Sequence, residues 1–226
     1  GLDLLIYNSF NQEISKWLPE EFVEKIIISK LNAKHVFVGF NYSFGYRGQG
    51  NPELLVKLGE KYGFKVSVIS PVEVDGQVVS STLVRELIEN GDIKRAQKLL
   101  GYNPMLEGTV IRGEQRGSKI GFPTANLQIA ADMLIPGKGV YAAKAYYKDK
   151  IYNCVVNIGS KPTFHENHPI AVEAHIMDFD KEIYGEPLKI FFIDKIRDEK
   201  KFGSIDELVS QISQDRDRAY QIASLN

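Results

Sequence analysis

Four glycines form a ladder near the middle of the chain. Gly108, Gly113, Gly117 and Gly121 are spaced five, four and four residues apart. Glycine lets a backbone turn at positive φ and approach a ligand closely, and successive free N–H groups can cradle phosphate oxygens. No Gly-Lys-Ser/Thr follows, so this is not a Walker-type loop. A set of tight β-turns is the other reading of the same spacing. Pro123, Thr124, Ala125 and Asn126 come next. Proline fixes the local φ, and Thr124 and Asn126 then offer a hydroxyl and an amide oxygen two residues apart. Hard oxygen donors of this kind suit Mg²⁺, which takes few protein ligands and leaves room for phosphates. An Asx-type turn leading into a strand is the alternative.

Three other groups of residues carry possible chemistry. In residues 171–179, Val172, Ala174 and Ile176 share one face of a strand, and Glu173, His175 and Met177 share the other. Glu173 can therefore reach a cavity as a proton acceptor while the strand stays packed, or stand as a solvated carboxylate. Arg197, Lys200 and Lys201 make a basic cluster before the last helix, which by itself reads as a solvated surface. Ser81 and Thr82 begin a helix, where N–H groups and the dipole favour phosphate, with Arg85 one turn further in. A plain cap with a surface arginine fits the same pattern. His165 and His168 lie three apart in a loop with Pro169, without a partner cysteine or paired carboxylates, and are not read as a metal site.

The elements that must position these groups come in two styles. Over the first hundred residues, strand-like runs at 2–7, 36–39 and 64–69 alternate with helix-like runs at 19–31 and 51–62. The run at 2–7 is expected to be a buried strand. Gly63 suits the end of the second helix, and Ser80 and Asp92 cap two short helices stopped by Gly91 and Gly101. This alternation predicts a parallel sheet covered by helices. Past Asn103-Pro104, short strands and Gly/Pro turns predict an antiparallel barrel or sandwich. The chain ends on a helix over 204–225 with a Ser204/Glu207 capping box and a stripe of Ile205, Leu208, Val209 and Ile212.

Gly-Phe-Pro-Thr-Ala-Asn after the glycine ladder closely resembles the riboflavin kinase family. The resemblance continues through Gly139-Val140-Tyr141, Asn157-Ile158-Gly159, Lys161-Pro162-Thr163-Phe164, Glu173-Ala-His175, Ile183-Tyr184-Gly185 and Ile196-Arg197-Asp198-Glu199-Lys200-Lys201-Phe202, in the family's order. It implies a Greek-key β-barrel with a C-terminal helix over residues 103–226. It also implies ATP as co-substrate, Mg²⁺, and conversion of riboflavin to FMN. By the same resemblance, Gly113 and Lys119 line the ATP phosphate loop. Thr124 and Asn126 hold Mg²⁺ and phosphates, Glu173 is the catalytic carboxylate and Tyr184 lies near the nucleotide. Arg197, Lys200 and Phe202 lie near the flavin.

Residues 38–45 and 79–85 resemble the FMN adenylyltransferase half of the bifunctional bacterial enzymes that go on to FAD. This makes residues 1–102 an incomplete, Rossmann-like α/β nucleotidyltransferase domain, with Ser81, Thr82 and Arg85 as its phosphate-binding residues. The family's Gly-x-Asp-Phe reads Gly39-Phe-Asn41-Tyr42 here, which keeps a ring but removes a charge. Its His-containing loop is not among these residues, and the chain is read as the later part of a longer protein. Two rival readings are a flavin sensor without turnover and a kinase whose first domain is purely structural.

Composition narrows the partners. The chain has 226 residues and a net charge of −1, which gives no general attraction to nucleic acid or anionic membrane. The expected partners are small molecules. The lone Cys154, inside an apolar run, is expected to be a buried, inert thiol suited to the cytoplasm.

Overall fold

The computed structural model describes residues 2–9, 11–160 and 170–224. The chain folds as two units, 1–78 and 79–226. The sequence changes style near 101–105, but the compact units part at Val78, so two helices before that point group with the barrel.

In the first unit, Pro19 opens α1 (Pro19–Phe22), which runs on as a π-helical turn over Val23–Ile28. Strands β1 (His35–Gly39) and β2 (Lys65–Ile69) pair in parallel, as the strand–helix alternation requires. Between them α2 (Pro52–Tyr62) starts where the Asn51 side chain accepts from the Leu54 N–H at 2.8 Å, and ends at a left-handed Gly63. Val23, Val38, Leu55, Leu58 and Phe64 form the core. A hairpin of β3 (Glu73–Val74) and β4 (Gln77–Val78) turns through Asp75 and Gly76, both at positive φ, the chemistry of a tight two-residue turn. The apolar run at 2–7 is not the buried strand its composition suggests. It makes no strand, and Leu2, Leu4, Leu5, Ile6 and Tyr7 are all exposed. Among the described residues it has no neighbouring strand to pair with, so apolar composition alone cannot bury it.

The second unit opens with α3 (Ser81–Glu89) and α4 (Ile93–Leu100). Their caps are the expected ones: Ser80 Oγ accepts from the Leu83 N–H and Asp92 from the Arg95 N–H. Six strands then close an antiparallel barrel: β5 (Met105–Ile111), β6 (Ala125–Gln128), β7 (Gly139–Tyr147), β8 (Lys150–Ser160), β9 (Ile170–Ile176) and β10 (Pro187–Arg197), in spatial order 10-5-6-9-8-7. A single turn, α5 (Arg116–Lys119), lies between β5 and β6. The barrel interior is filled by Leu106, Val110, Tyr141, Val156, Val172, Phe192 and their neighbours, and Ile93 of α4 joins this cluster. Cys154 is part of it, and burial pushes its thiol up.

The closing helix α6 (Ile205–Ser224) lies on the outer wall. Its Ala219, Ile222 and Ala223 pack on Val140, Ala142, Val155, Met177 and Ile193. Ser204 Oγ caps it by accepting from the Glu207 N–H at 3.1 Å, while the Glu207 carboxylate reaches the Gly203 N–H instead of completing the expected box on Ser204. No helix among the described residues is long and apolar enough to cross a membrane.

Candidate functional site

Alternation along the barrel strands decides which residues face outward. Leu127, Val172 and Ile158 point into the barrel, so Asn126, Glu173 and Asn157 point out. The strand register then aligns these three. Asn126 of β6 lies directly opposite Glu173 of β9, and Glu173 directly opposite Asn157 of β8. The row continues to Val140 of β7 and Arg197 of β10. An amide, a carboxylate, a second amide and a guanidinium thus ring one end of the outer wall.

Two clefts open along this row, and another adjoins them through Thr124, at the end of the barrel beside Val110, Ala174 and Ile176. The adjoining cleft, the first of the three, is about 320 Å³ and is lined by Gln115, Ser118, Thr124, Phe179 and Tyr184. The Gln115 amide donates to the Tyr184 hydroxyl at 3.3 Å, and the Arg112 guanidinium lies 5.4 Å over the Tyr184 ring. The central cleft, about 450 Å³, is lined by Gly113, Arg116, Asn126, Asn157, Glu173 and Glu199. The third, about 330 Å³, lies between the barrel wall and α6, with Phe122, His175, Arg197, Phe202, Leu208 and Ile212 among its lining. Thr124 borders all three clefts, and Glu173 borders the second and third.

Close approaches explain two glycines here. A side chain at Gly113 would fall on the amide of Asn126, which is itself buried and cannot swing away. One at Gly159 would fall on the Glu199 carboxylate. Within the ladder, Gly113 therefore serves close packing at the central cleft, while Gly108 packs on backbone and side chains at residues 127–129. Only Gly121 of its four members has positive φ, at 88°.

The third cleft has a rigid wall. Asp215 of α6, 3% exposed, accepts from Arg197 Nε at 3.0 Å and Nη2 at 2.7 Å, and from Gln211 Nε2 at 3.0 Å. Arg197 Nη1 donates to the Asp198 carbonyl. The guanidinium so held sits 5.7 Å from the Phe202 ring, and the Lys200 ammonium 5.4 Å from it. Lys200 also pairs with Glu207 at 3.2 Å. The Gly203 N–H, followed by Lys200, holds the Glu207 carboxyl below its ordinary range.

The residues singled out from sequence fall into three groups. Gly113, Thr124, Asn126, Glu173, Tyr184, Arg197, Lys200 and Phe202 come together on the three connected clefts. Lys119 ends α5, is exposed, and lines none of them; Arg116 and Gln115 of the same loop do. Ser81, Thr82 and Arg85 stand exposed on the first turns of α3 in the 79–226 unit, where Ser81 and Arg85 border a separate recess with Tyr102, Met105 and Met133. His165 and His168 lie outside the described residues. Asn157, His175 and Glu199 line the site without having been assigned a role. Asn157 was within reach, being a polar residue at an outward position between the buried Val156 and Ile158.

Comparison with known proteins gives a consistent picture. A family model described as riboflavin kinase matches residues 100–223, and one described as FAD synthetase matches residues 1–83. A bifunctional riboflavin kinase/FMN adenylyltransferase from Bacillus subtilis (strain 168) is 36% identical over 99% of this chain and 71% of its own length. The protein of that description from Haemophilus influenzae is 36% identical over 96% of this chain and 70% of its own. A Streptococcus pneumoniae crystal structure described as a macrolide-efflux protein has 33% identity and a TM-score of 0.85, covering 93% of this chain and 67% of that one.

Proposed function

The chain belongs to the bifunctional riboflavin kinase/FMN adenylyltransferase family, and from that footing we propose how its three clefts divide the kinase chemistry. ATP lies across the first and central clefts. Its base is beside Tyr184 and its phosphates lie beneath the 113–117 loop, against Thr124 and Asn126. Riboflavin occupies the third cleft, its ring against Phe202, Leu208 and Ile212 and its ribityl chain directed at the central cleft. The terminal ribityl hydroxyl then meets the γ-phosphorus beside Glu173. Its oxygen attacks phosphorus, Glu173 accepts its proton, and ADP leaves. The observation that carries this reading is the position of Glu173, between Asn126 and Asn157 on the outer wall and bordering both the central and the third cleft.

Thr124 and Asn126 also fit a magnesium site. Their neutral oxygen donors suit a hard cation that shares its coordination with phosphates and water, and the buried Asn126 side chain is fixed beneath Gly113 at the edge of the cleft. When bound, Mg²⁺ supplies charge neutralisation on the transferring phosphate. Arg116, which lines the central and third clefts, pairs with Glu114 of the central cleft at 2.5 Å and would turn to the phosphates from that pair. Ser81, Thr82 and Arg85 are proposed to serve phosphate in the adenylyltransferase reaction. A cytoplasmic setting is supported by the single, buried cysteine.

The test is Glu173→Gln. Glutamine keeps the size and one acceptor but cannot take a proton at neutral pH. Positioned proton transfer typically contributes ~10²–10⁴-fold in rate, so kcat falls by about that factor while riboflavin still quenches on binding. A residual rate survives, because phosphoryl transfer rests mainly on positioning and electrostatics. Near-normal kcat, or a loss confined to riboflavin binding, would remove Glu173 from the role of base.

A further inference from the structure

His175 stands on the outward face of β9, two residues from Glu173, and it touches the loop that delivers Thr124. Its Nδ1 lies 2.8 Å from the Pro123 carbonyl oxygen. A carbonyl only accepts, so Nδ1 carries the proton and donates. The ring also meets Phe122 edge-on, with centroids 5.5 Å apart at 72°. The backbone explains why a side chain is needed. The β6–β9 ladder ends at Ala125 opposite Ala174, and continuing that register puts Thr124 opposite His175. Pro123 has no N–H to extend the ladder. Beyond Ala125, the strand entry is tied to β9 by the imidazole.

We propose that His175 is a positioning residue for phosphoryl transfer, which holds the Pro123–Thr124 peptide against β9 so that the Thr124 hydroxyl faces the phosphates. The proposal rests on the reading above that Thr124 serves the phosphates. One imidazole fixes two sides of the reaction, since Phe122 borders the third cleft and Thr124 all three. Of its two contacts, only the hydrogen bond reaches the Thr124 peptide. Loss of that hydrogen bond is therefore expected to be felt first by the nucleotide, while the ring itself lines the third cleft.

The experiment compares His175→Leu, which keeps bulk and loses the donor, with His175→Asn, whose amide nitrogen replaces Nδ1. His175→Ala supplies the donor-free arm if the leucine variant folds poorly. One net hydrogen bond is worth roughly fivefold, so KM for MgATP rises about fivefold in His175→Leu, with riboflavin KM changed less. His175→Asn returns to within about twofold of the parent. In a Thr124→Ala background, the His175→Leu effect disappears, because there is no hydroxyl left to position. An asparagine variant as impaired as leucine would overturn the proposal, as would a full His175→Leu effect in the Thr124→Ala background or a loss confined to riboflavin. If Thr124→Ala alone leaves MgATP kinetics unchanged, the assignment of Thr124 to the phosphates fails first, and the proposal falls with it.

Discussion

The Arg197–Asp215 pair links the stability of the barrel to the riboflavin recognition proposed for the third cleft, and Asp215→Ala separates the two. Asp215 is 3% exposed and accepts two forked contacts from Arg197 and one from Gln211. Breaking a buried pair by removing one partner costs about 3–5 kcal/mol when the remaining charge is sealed away. The Arg197 side chain retains 22% exposure, so water recovers part of this, and we expect about 2–3 kcal/mol. At roughly 2–4 °C per kcal/mol for a chain of this size, the kinase unit melts about 4–12 °C lower. The freed guanidinium no longer braces Phe202, so riboflavin KM rises while MgATP KM stays near the parent value. Asp215→Asn keeps the shape and acceptor and falls between the two. The assay is thermal unfolding followed by near-UV circular dichroism, with steady-state kinetics for each substrate. A melting point within about 2 °C of the parent would show the pair to be dispensable. A lowered melting point with unchanged riboflavin KM would remove Arg197 from the flavin wall.

Gly113→Ala drives a methyl group into the buried Asn126 amide; MgATP binding weakens together with turnover, measured by KM and by nucleotide titration. A fragment of residues 79–226 unfolds at higher temperature than one of 103–226, because the shorter piece strips Ile93 from the barrel cluster and the α3–α4 pair from Leu134; equal melting points would refute this. Burial, with the Asp198 charge adding to it, pushes the Tyr141 phenol up to about 12. The unfolded chain gives up that proton near pH ~10, so stability is lost as pH rises from about 10 towards 12; Tyr141→Phe flattens that decline in melting temperature between about pH 9.5 and 11.5. Cys154 stays silent to thiol reagents in the native protein and reacts at the rate of unfolding, since its buried thiol resists ionisation.

Much of the barrel was legible in the sequence because antiparallel strands advertise one wet and one dry face. In residues 170–176 the alternation Val172, Ala174, Ile176 against Glu173 and His175 predicts both the strand and the outward carboxylate. The helix caps at Ser80, Asp92 and Ser204 were equally readable, because each depends on one local hydrogen bond, whereas Asn51, read as the first helical residue, is the cap of its helix. What remained hidden depended on partners distant in sequence. Nothing in residues 93–100 says that Ile93 enters a barrel cluster whose strands begin at Met105. The stripe on α6 reads as core, yet Ile205 is exposed and Leu208 and Ile212 line a cleft, while the core contacts come from Ala219, Ile222 and Ala223. The run at 2–7 shows the converse: with no pairing strand among the described residues, its apolar side chains are exposed. Asn157 and His175, named only as parts of motifs and faces, were given no role because their placement comes from register, which sets Asn157 beside Glu173 and His175 beside Thr124.

The location of the chemistry follows from the size of the barrel. Six strands leave room inside only for side chains, and Leu106, Tyr141, Leu188, Ile190 and Phe192 are fully buried there. The row of polar side chains proposed to carry the transfer is therefore assembled on the outer wall, with the first cleft at the barrel end beside it. Part of that wall is taken by α6, which packs on β7, β8 and β10. The opening left over β6, β9 and the end of β8 is where Asn126, Glu173 and Asn157 align. Their backbones are fixed by the sheet, but the sheet cannot exclude water from above them. That task falls to the loop over residues 112–124, which contributes Gly113, Arg116, Phe122 and Thr124, and to the segment from Arg197 to Phe202. The rigid part of the site selects which atoms meet, and the two loops decide how well they are held. Substitutions in the row are therefore expected to act on kcat, and substitutions in the contacts that tie the loops to the barrel, His175–Pro123 and Asp215–Arg197, on the KM of the substrate each loop covers.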